Sequence, residues 1–328
     1  MPKPKFQVLS AAQQKALAKK DRMAYRKSLI AAGRAKAATM PNGPEKQKLL
    51  AACERFERDN HAVEMARLSQ SVYQDHGAPE GWTRLSDDPS KLPPALQDPT
   101  LWNNPSSNFH AALYQSQIDG SYVLACRGTD PGSLKDWGTN IRQNFGAQSS
   151  AYQSSMSLGK LVKRTYGDQV QTTGHSLGGG EAAASSIVSR LHGTTFNAAG
   201  VNPNTIAPYG GDIANANDLV QNYHVPGDPL TGLENLPPVL VDDGIGNMYE
   251  VPLVEPAIGQ QYTLAEPPSH QMPIQMTDDF GHPIPGSQHT VSVPAGVLER
   301  HGIQTVIDSI ETEKDQDQKV IGNSVAKG

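Results

Sequence analysis

One serine stands between glycines in the stretch Gly174-His175-Ser176-Leu177-Gly178, and three alanines follow at 182–184. The segment before it, QVQTTGHS, reads as a strand, and the segment after it reads as a helix. In that setting G-x-S-x-G describes a sharp strand-to-helix turn that lifts the serine hydroxyl clear of a sheet in a strained backbone conformation. A side chain at 174 or 178 would meet neighbouring backbone in so tight a turn. Gly179, Gly180 and the alanines let the helix lie close to the sheet. The helix also aims its N-terminal amides at the serine, where negative charge would develop. The chemistry on offer is nucleophilic attack on a carbonyl, provided that a base takes the serine proton and an acid orients the base. Five residues alone arise by chance in many chains, so the remaining parts have to come from elsewhere in the sequence.

For the acid, Asp228 in NYHVPGDPLTG lies just past an apolar strand, with Gly227 and Pro229 fixing a turn around it. Asp212, Asp242 and Asp243 lack such a strand before them. For the base, His301 in VLERHGIQTVIDSIE directly precedes an amphipathic helix and is preferred. His289 in GSQHTVSVP, set in strand-like alternation, remains its rival; His270 and His282 read as loop residues of a Pro-rich stretch. His175 cannot easily point at the same atom as its chain neighbour Ser176 and reads as a support.

The elements that must position these residues alternate in type. HAALYQSQ and SYVLACRGT read as strands about the turn IDGS, YQSSMSLGKLVKRTYG as an amphipathic helix, and TTFNAAG and DLVQNYHVPGD as further strands. That order predicts a mostly parallel sheet covered by helices. A chain of 328 residues is long enough to bury a full core around such a sheet. Residues 49–74 carry apolar side chains at helical spacing, and 75–107 is broken by Pro, Gly and Asp into loop.

Charge is uneven: residues 1–50 hold 12 of the 28 Lys and Arg but 2 of the 33 Asp and Glu. They form a basic helical extension with expected ends at Gly33 and Pro41, able to meet anionic lipid, an acidic partner or the protein's own acidic body. A main domain over 51–312 follows, with a Pro- and Gly-rich insertion at about 230–298, and then a polar tail over 313–328. The two cysteines, Cys53 and Cys126, exclude a disulfide framework, and Cys126 within an apolar strand reads as a buried thiol. His spacing offers no metal site and nothing calls for a cofactor; there is no transmembrane run or signal-peptide pattern, so export would take a signal-independent route.

Arg127-Gly128-Thr129 after an apolar strand, Asp136-Trp137 soon after, and TGHSLGGG at 173–180 resemble the class 3 lipase and phospholipase A1-like α/β-hydrolases. The resemblance follows element order over roughly residues 60–312 and is sharp at 123–140 and 172–184. It implies the α/β-hydrolase fold, with backbone N–H groups of Thr129 and Leu177 forming an oxyanion hole and a triad of Ser176, Asp228 and His301. It implies hydrolysis of lipid esters, with DPGSLKDWGTNIRQNF (130–145) as a lid like that of related lipases; this stretch and the basic N-terminal extension together favour phospholipid over neutral fat at a membrane surface. Some bacterial relatives of this layout are effectors restrained by an immunity protein, which extends the expectation to such a partner. A thioesterase or small-ester carboxylesterase, or a silent binding module on the same scaffold, is the competing expectation.

Overall fold

Alternation in YVLAC sends Val123 and Ala125 to one face of a strand and Leu124 and Cys126 to the other, and helices cover both faces. The computed structural model describes residues 6–129, 148–235, 237, 239–242, 248–251, 255–277, 283–293 and 295–326. Helices α1 (Ala11–Lys15), α2 (Lys19–Thr39) and α3 (Pro44–Ser71) come first. Strands β1 (Trp82–Arg84), β2 (Asn103–Asn104), β3 (Phe109–Ser116) and β4 (Tyr122–Cys126) follow. Then come α4 (Gln148–Tyr166), β5 (Val170–His175), α5 (Leu177–Ser189) and β6 (His192–Phe196). After them lie α6 (Pro203–Ile206), α7 (Ala216–Leu219), β7 (Val220–His224) and α8 (Pro229–Glu234). The last part holds β8 (Val239–Asp242), β9 (Met248–Val251), β10 (Gln260–Thr263), β11 (His270–Thr277), β12 (Pro283–Val293), α9 (Val297–His301) and α10 (Ile303–Ala326).

The central sheet runs β1-β3-β4-β5-β6-β7-β10, with β2 beside β3. From β4 to β10 every pair is parallel, whereas β3 runs antiparallel to its neighbours. A parallel sheet with helical crossovers on both faces and a serine turn after a central strand is the α/β-hydrolase fold, as the resemblance implied. Its register aligns Cys126 with Gly174, and His175 with Phe196, so the carboxyl ends of β4, β5 and β6 share one rim. The candidate site stands on that rim, where open α/β sheets place their ligands.

Ala62, Val63 and Leu68 of α3, with Val306 and Ile310 of α10, pack against Tyr114, Phe196 and Tyr223 on one face. Leu158 and Val162 of α4 and Ala182 of α5 cover Leu113, Leu124 and Cys126 on the other. Cys126 is buried, and burial pushes its thiol well above the ordinary range, which keeps it unreactive.

Several stretches differ from the sequence reading, and 75–107, read as loop, holds β1 and β2, which pair with β3. Helix α3 begins at Pro44, five residues before the expected start, because proline at the first helical position gives up only an N–H that has no helical partner. Gly33 does not end a helix but lies buried within α2, where an added Cβ would sit 2.6 Å from Cys53 Sγ and 2.8 Å from Ile321 Cγ2. Residues 313–326, set apart as a polar tail, continue α10 and bury Lys314, Asp317 and Ile321. Within the Pro- and Gly-rich stretch, β8–β9 and β11–β12 pair as separate two-stranded sheets, but β10 joins the central sheet beside β7.

The basic extension docks on the protein's own body. Leu29, Ile30 and Ala37 of α2 share a core with Leu49, Ala52, Cys53 and Phe56 of α3 and Ile321 of α10. Around that core Lys19 pairs with Glu64, Arg22 with Glu80 at 2.7 Å, and Arg34 with Glu57 at 2.6 Å. Arg34 and Glu57 are about half exposed, so that pair contributes little, and burying a leucine such as Leu29 contributes about 1.5–3 kcal/mol. Among the described residues no helix is long and apolar enough to cross a membrane.

Candidate active site

Ser176 caps β5 with φ 59° and ψ −129°, a backbone region that an ordinary residue enters at a cost of about 1–3 kcal/mol. The turn holds because a Cβ on Gly174 would lie 2.0 Å from Gly178 O, and one on Gly178 would lie 2.4 Å from Cys126 O. The main chain is tied in as well: Ser176 N–H donates to Phe196 O at 3.1 Å, while Ser176 O accepts from Gly179 and Ala199 N–H, each at 2.9 Å.

Ser176 Oγ lies 2.8 Å from His301 Nε2, and His301 Nδ1 lies 2.7 Å from Asp228 Oδ1. Ser176, Asp228 and His301 are respectively 5 %, 2 % and 1 % exposed, so their attractions act with little solvent screening. Asp228 Oδ1 can only accept when ionised, so Nδ1 of a neutral His301 carries the proton and Nε2 is left to take one from Ser176. The other oxygen of Asp228 accepts from Thr231 N–H at 2.7 Å and Thr231 Oγ1–H at 2.8 Å, capping α8 and fixing the carboxylate plane.

His301 ends the short helix α9, which is held from several sides. Arg300 donates to Pro226 O at 2.5 Å, to Ala295 O at 3.2 Å and to Glu266 at 2.8 Å, which ties α9 to the Asp228 loop. Asn197 Nδ2 donates to the carbonyls of Arg300 at 2.9 Å and His301 at 3.1 Å, while Asn197 Oδ1 accepts from Val225 N–H at 3.0 Å. His175 Nε2 lies 2.6 Å from His301 O, and Tyr73 Oη lies 3.0 Å from His175 Nδ1. Burial, with His301 beside it, lowers His175 to about 3, so its ring is neutral.

The structure therefore brings together Ser176, Asp228 and His301. It puts the rival His289 in β12, paired to Ile274 of β11 in a two-stranded sheet that is not part of the central one. His270 also lies in a strand rather than a loop, at the start of β11. Leu177 opens α5, whose first N–H groups lack intrahelical partners. Thr129 is exposed and follows Gly128, whose N would lie 2.7 Å from a Cβ on Gly178. The segments that carry the two oxyanion candidates thus run too close together for a side chain at 178. Asp136, Trp137, the lid expectation at 130–145, Asp243 and His282 lie outside the described residues. Asn197, Thr231 and Tyr73 were missed by the sequence reading; Asn197 alone had a local signal, standing one residue beyond a strand on the rim.

Among known proteins, the Tle-like phospholipase domain, a phospholipase-like family model, matches residues 64–268. That span includes Thr129, Ser176, Leu177 and Asp228 but stops before His301. An extracellular phospholipase A1 of Serratia liquefaciens is 31 % identical over 261 residues, covering 78 % of this chain and 72 % of that protein. A Rhizomucor miehei lipase in its propeptide complex overlays at TM-score 0.40 with 14 % identity, covering 77 % of this chain and 79 % of its own. A triacylglycerol lipase from Penicillium expansum overlays at TM-score 0.40 with 14 % identity, covering 64 % and 81 %.

Proposed function

This chain belongs to the Tle-like phospholipase domain family, and from that premise we propose how its residues hydrolyse a lipid ester. Ser176 is the nucleophile, His301 the base and Asp228 the carboxylate that orients it. The N–H groups of Thr129 and Leu177 receive the oxyanion. The observation that carries this reading is the unbroken Ser176–His301–Asp228 contact chain at 2.8 and 2.7 Å, drawn from residues 125 and 73 positions apart.

His301 Nε2 accepts the Ser176 proton as Oγ attacks the ester carbonyl, and the imidazolium that forms is steadied by Asp228. Each oxyanion donor contributes on the order of 3 kcal/mol to the barrier reduction. His301 returns the proton to the departing alcohol. Water then attacks the acyl-enzyme, with the same imidazole taking its proton, and Ser176 leaves as the free hydroxyl.

The substrate is a phospholipid cut at the ester that a phospholipase A1 removes; the likeness to the Serratia enzyme supports this choice. The protein meets that substrate at a membrane surface, is made in the cytoplasm, and is restrained in its own cell by an immunity protein. Binding of a small inhibitory protein, and toxicity on delivery to a periplasm that Ser176→Ala abolishes, test the last part; absence of toxicity there counts against it.

Fatty-acid release from phosphatidylglycerol and phosphatidylethanolamine vesicles tests the reaction. The expected result is loss of release in Ser176→Ala and His301→Ala, with His289→Ala retaining it. Activity on short dispersed esters but on no vesicle would instead favour a small-ester carboxylesterase.

A further inference from the structure

We infer that His175 is a positioning residue for the base: it holds the main chain of His301, and Tyr73 supplies the donor that its other ring nitrogen needs in that tautomer. This rests on the assignment of Ser176 and His301 made above. The carbonyl oxygen of His301 can only accept, so the 2.6 Å contact requires the proton of His175 to be on Nε2. Nδ1 of His175 is then an acceptor, and the Tyr73 hydroxyl at 3.0 Å donates to it. Asn197 Nδ2 supplies a second donor to the same carbonyl at 3.1 Å, filling both its lone pairs.

The consequence is mechanical. The residue that grips the base is joined by one peptide bond to the nucleophile, so the strained turn that sets Ser176 also sets the main chain of His301. Serine–imidazole distance is thereby fixed without relying on α9, a helix of 5 residues with little structure of its own. The grip must also be electrically neutral. The two imidazole rings are 5.0 Å apart, and a cation at 175 would oppose the charge that His301 gains during attack. Histidine held neutral by burial, or glutamine, can donate to that carbonyl without carrying a charge; lysine can donate but brings a cation.

The test compares kcat and KM on a dispersed short-chain ester for His175→Ala, His175→Gln and Tyr73→Phe, with folding followed by circular dichroism and Tm. Misplacement of a reacting group by about 1 Å costs on the order of 100-fold, so His175→Ala is expected to lose about that much in kcat. KM should stay within about twofold, because ground-state binding is untouched. Glutamine, which can donate to His301 O and accept from Tyr73, should recover about tenfold over alanine. Tyr73→Phe, a half-buried residue losing one oxygen, should lower kcat severalfold at unchanged Tm. A folded His175→Ala with wild-type kcat, or glutamine no better than alanine, overturns the inference. If the alanine variant does not fold, wild-type kcat in Tyr73→Phe overturns it instead. Retained hydrolysis in Ser176→Ala would overturn the underlying assignment, which is a separate result.

Discussion

At the scale of the residue, the proposed site depends on two groups in series, Asp228 touching His301 and Thr231 touching Asp228. Asp228 orients the ring through Nδ1 while Thr231 fixes its other oxygen. Replacing it by Asn keeps the shape but lets the wrong tautomer form, so Asp228→Asn is expected to lower kcat by on the order of 10⁴-fold in steady-state assays. Thr231→Ala removes only the hydroxyl donor, leaves the backbone N–H bond, and should cost kcat about tenfold or less, with destabilisation of about 1 kcal/mol by denaturant titration. Ser176 was legible because the turn that presents it is made by residues within two positions on either side, and Asp228 because a strand and a proline bracket it. Tyr73 was not legible, and Asn197 only as a position just past a strand end, since the atoms that give them meaning lie 102 and 104 positions away.

At the scale of the element, tertiary contacts overrode local preference. Gly33 reads locally as a helix stop, yet the helix continues through it because α3 and α10 approach too closely for a side chain. Gly33→Val, forced against Cys53 and Ile321, should therefore destabilise by about 1–3 kcal/mol, measured as a shift in denaturant midpoint, although valine forms helix more readily than glycine. Charge reversal at Arg34 should move the same midpoint by about 0.5 kcal/mol or less, because its pair with Glu57 is solvated. The four-residue strand β10 was hidden in a stretch rich in Pro and Gly: a run that short carries too few alternations to stand out. The carboxyl half of α10 was misjudged because its buried side chains include Lys314 and Asp317, whose partners Glu311 and Arg55 make burial tolerable.

At the scale of the whole molecule, the half-buried Glu234 and the buried His175 tilt stability with pH in opposite senses. Burial raises Glu234 from 4.5 to about 8, so the folded state holds its proton more tightly than the unfolded chain. Its contribution is complete below the unfolded value and is lost as pH rises through about 8; Glu234→Gln should flatten the fall in Tm across that window. His175, lowered from 6.5 to about 3, contributes stability above 6.5 that is lost as pH falls toward 3. His175 lies against His301, and Glu234 ends the helix that Asp228 caps, so both titrations act next to the proposed site. The central claim, that Ser176 is the nucleophile activated by His301, is tested most directly by labelling with a fluorophosphonate and locating the adduct by mass spectrometry. The account predicts one adduct, on the peptide carrying Ser176, formed at a rate that collapses in His301→Ala and is unaffected in His289→Ala. An adduct on another residue, or labelling of Ser176 that proceeds at full rate without His301, would contradict it.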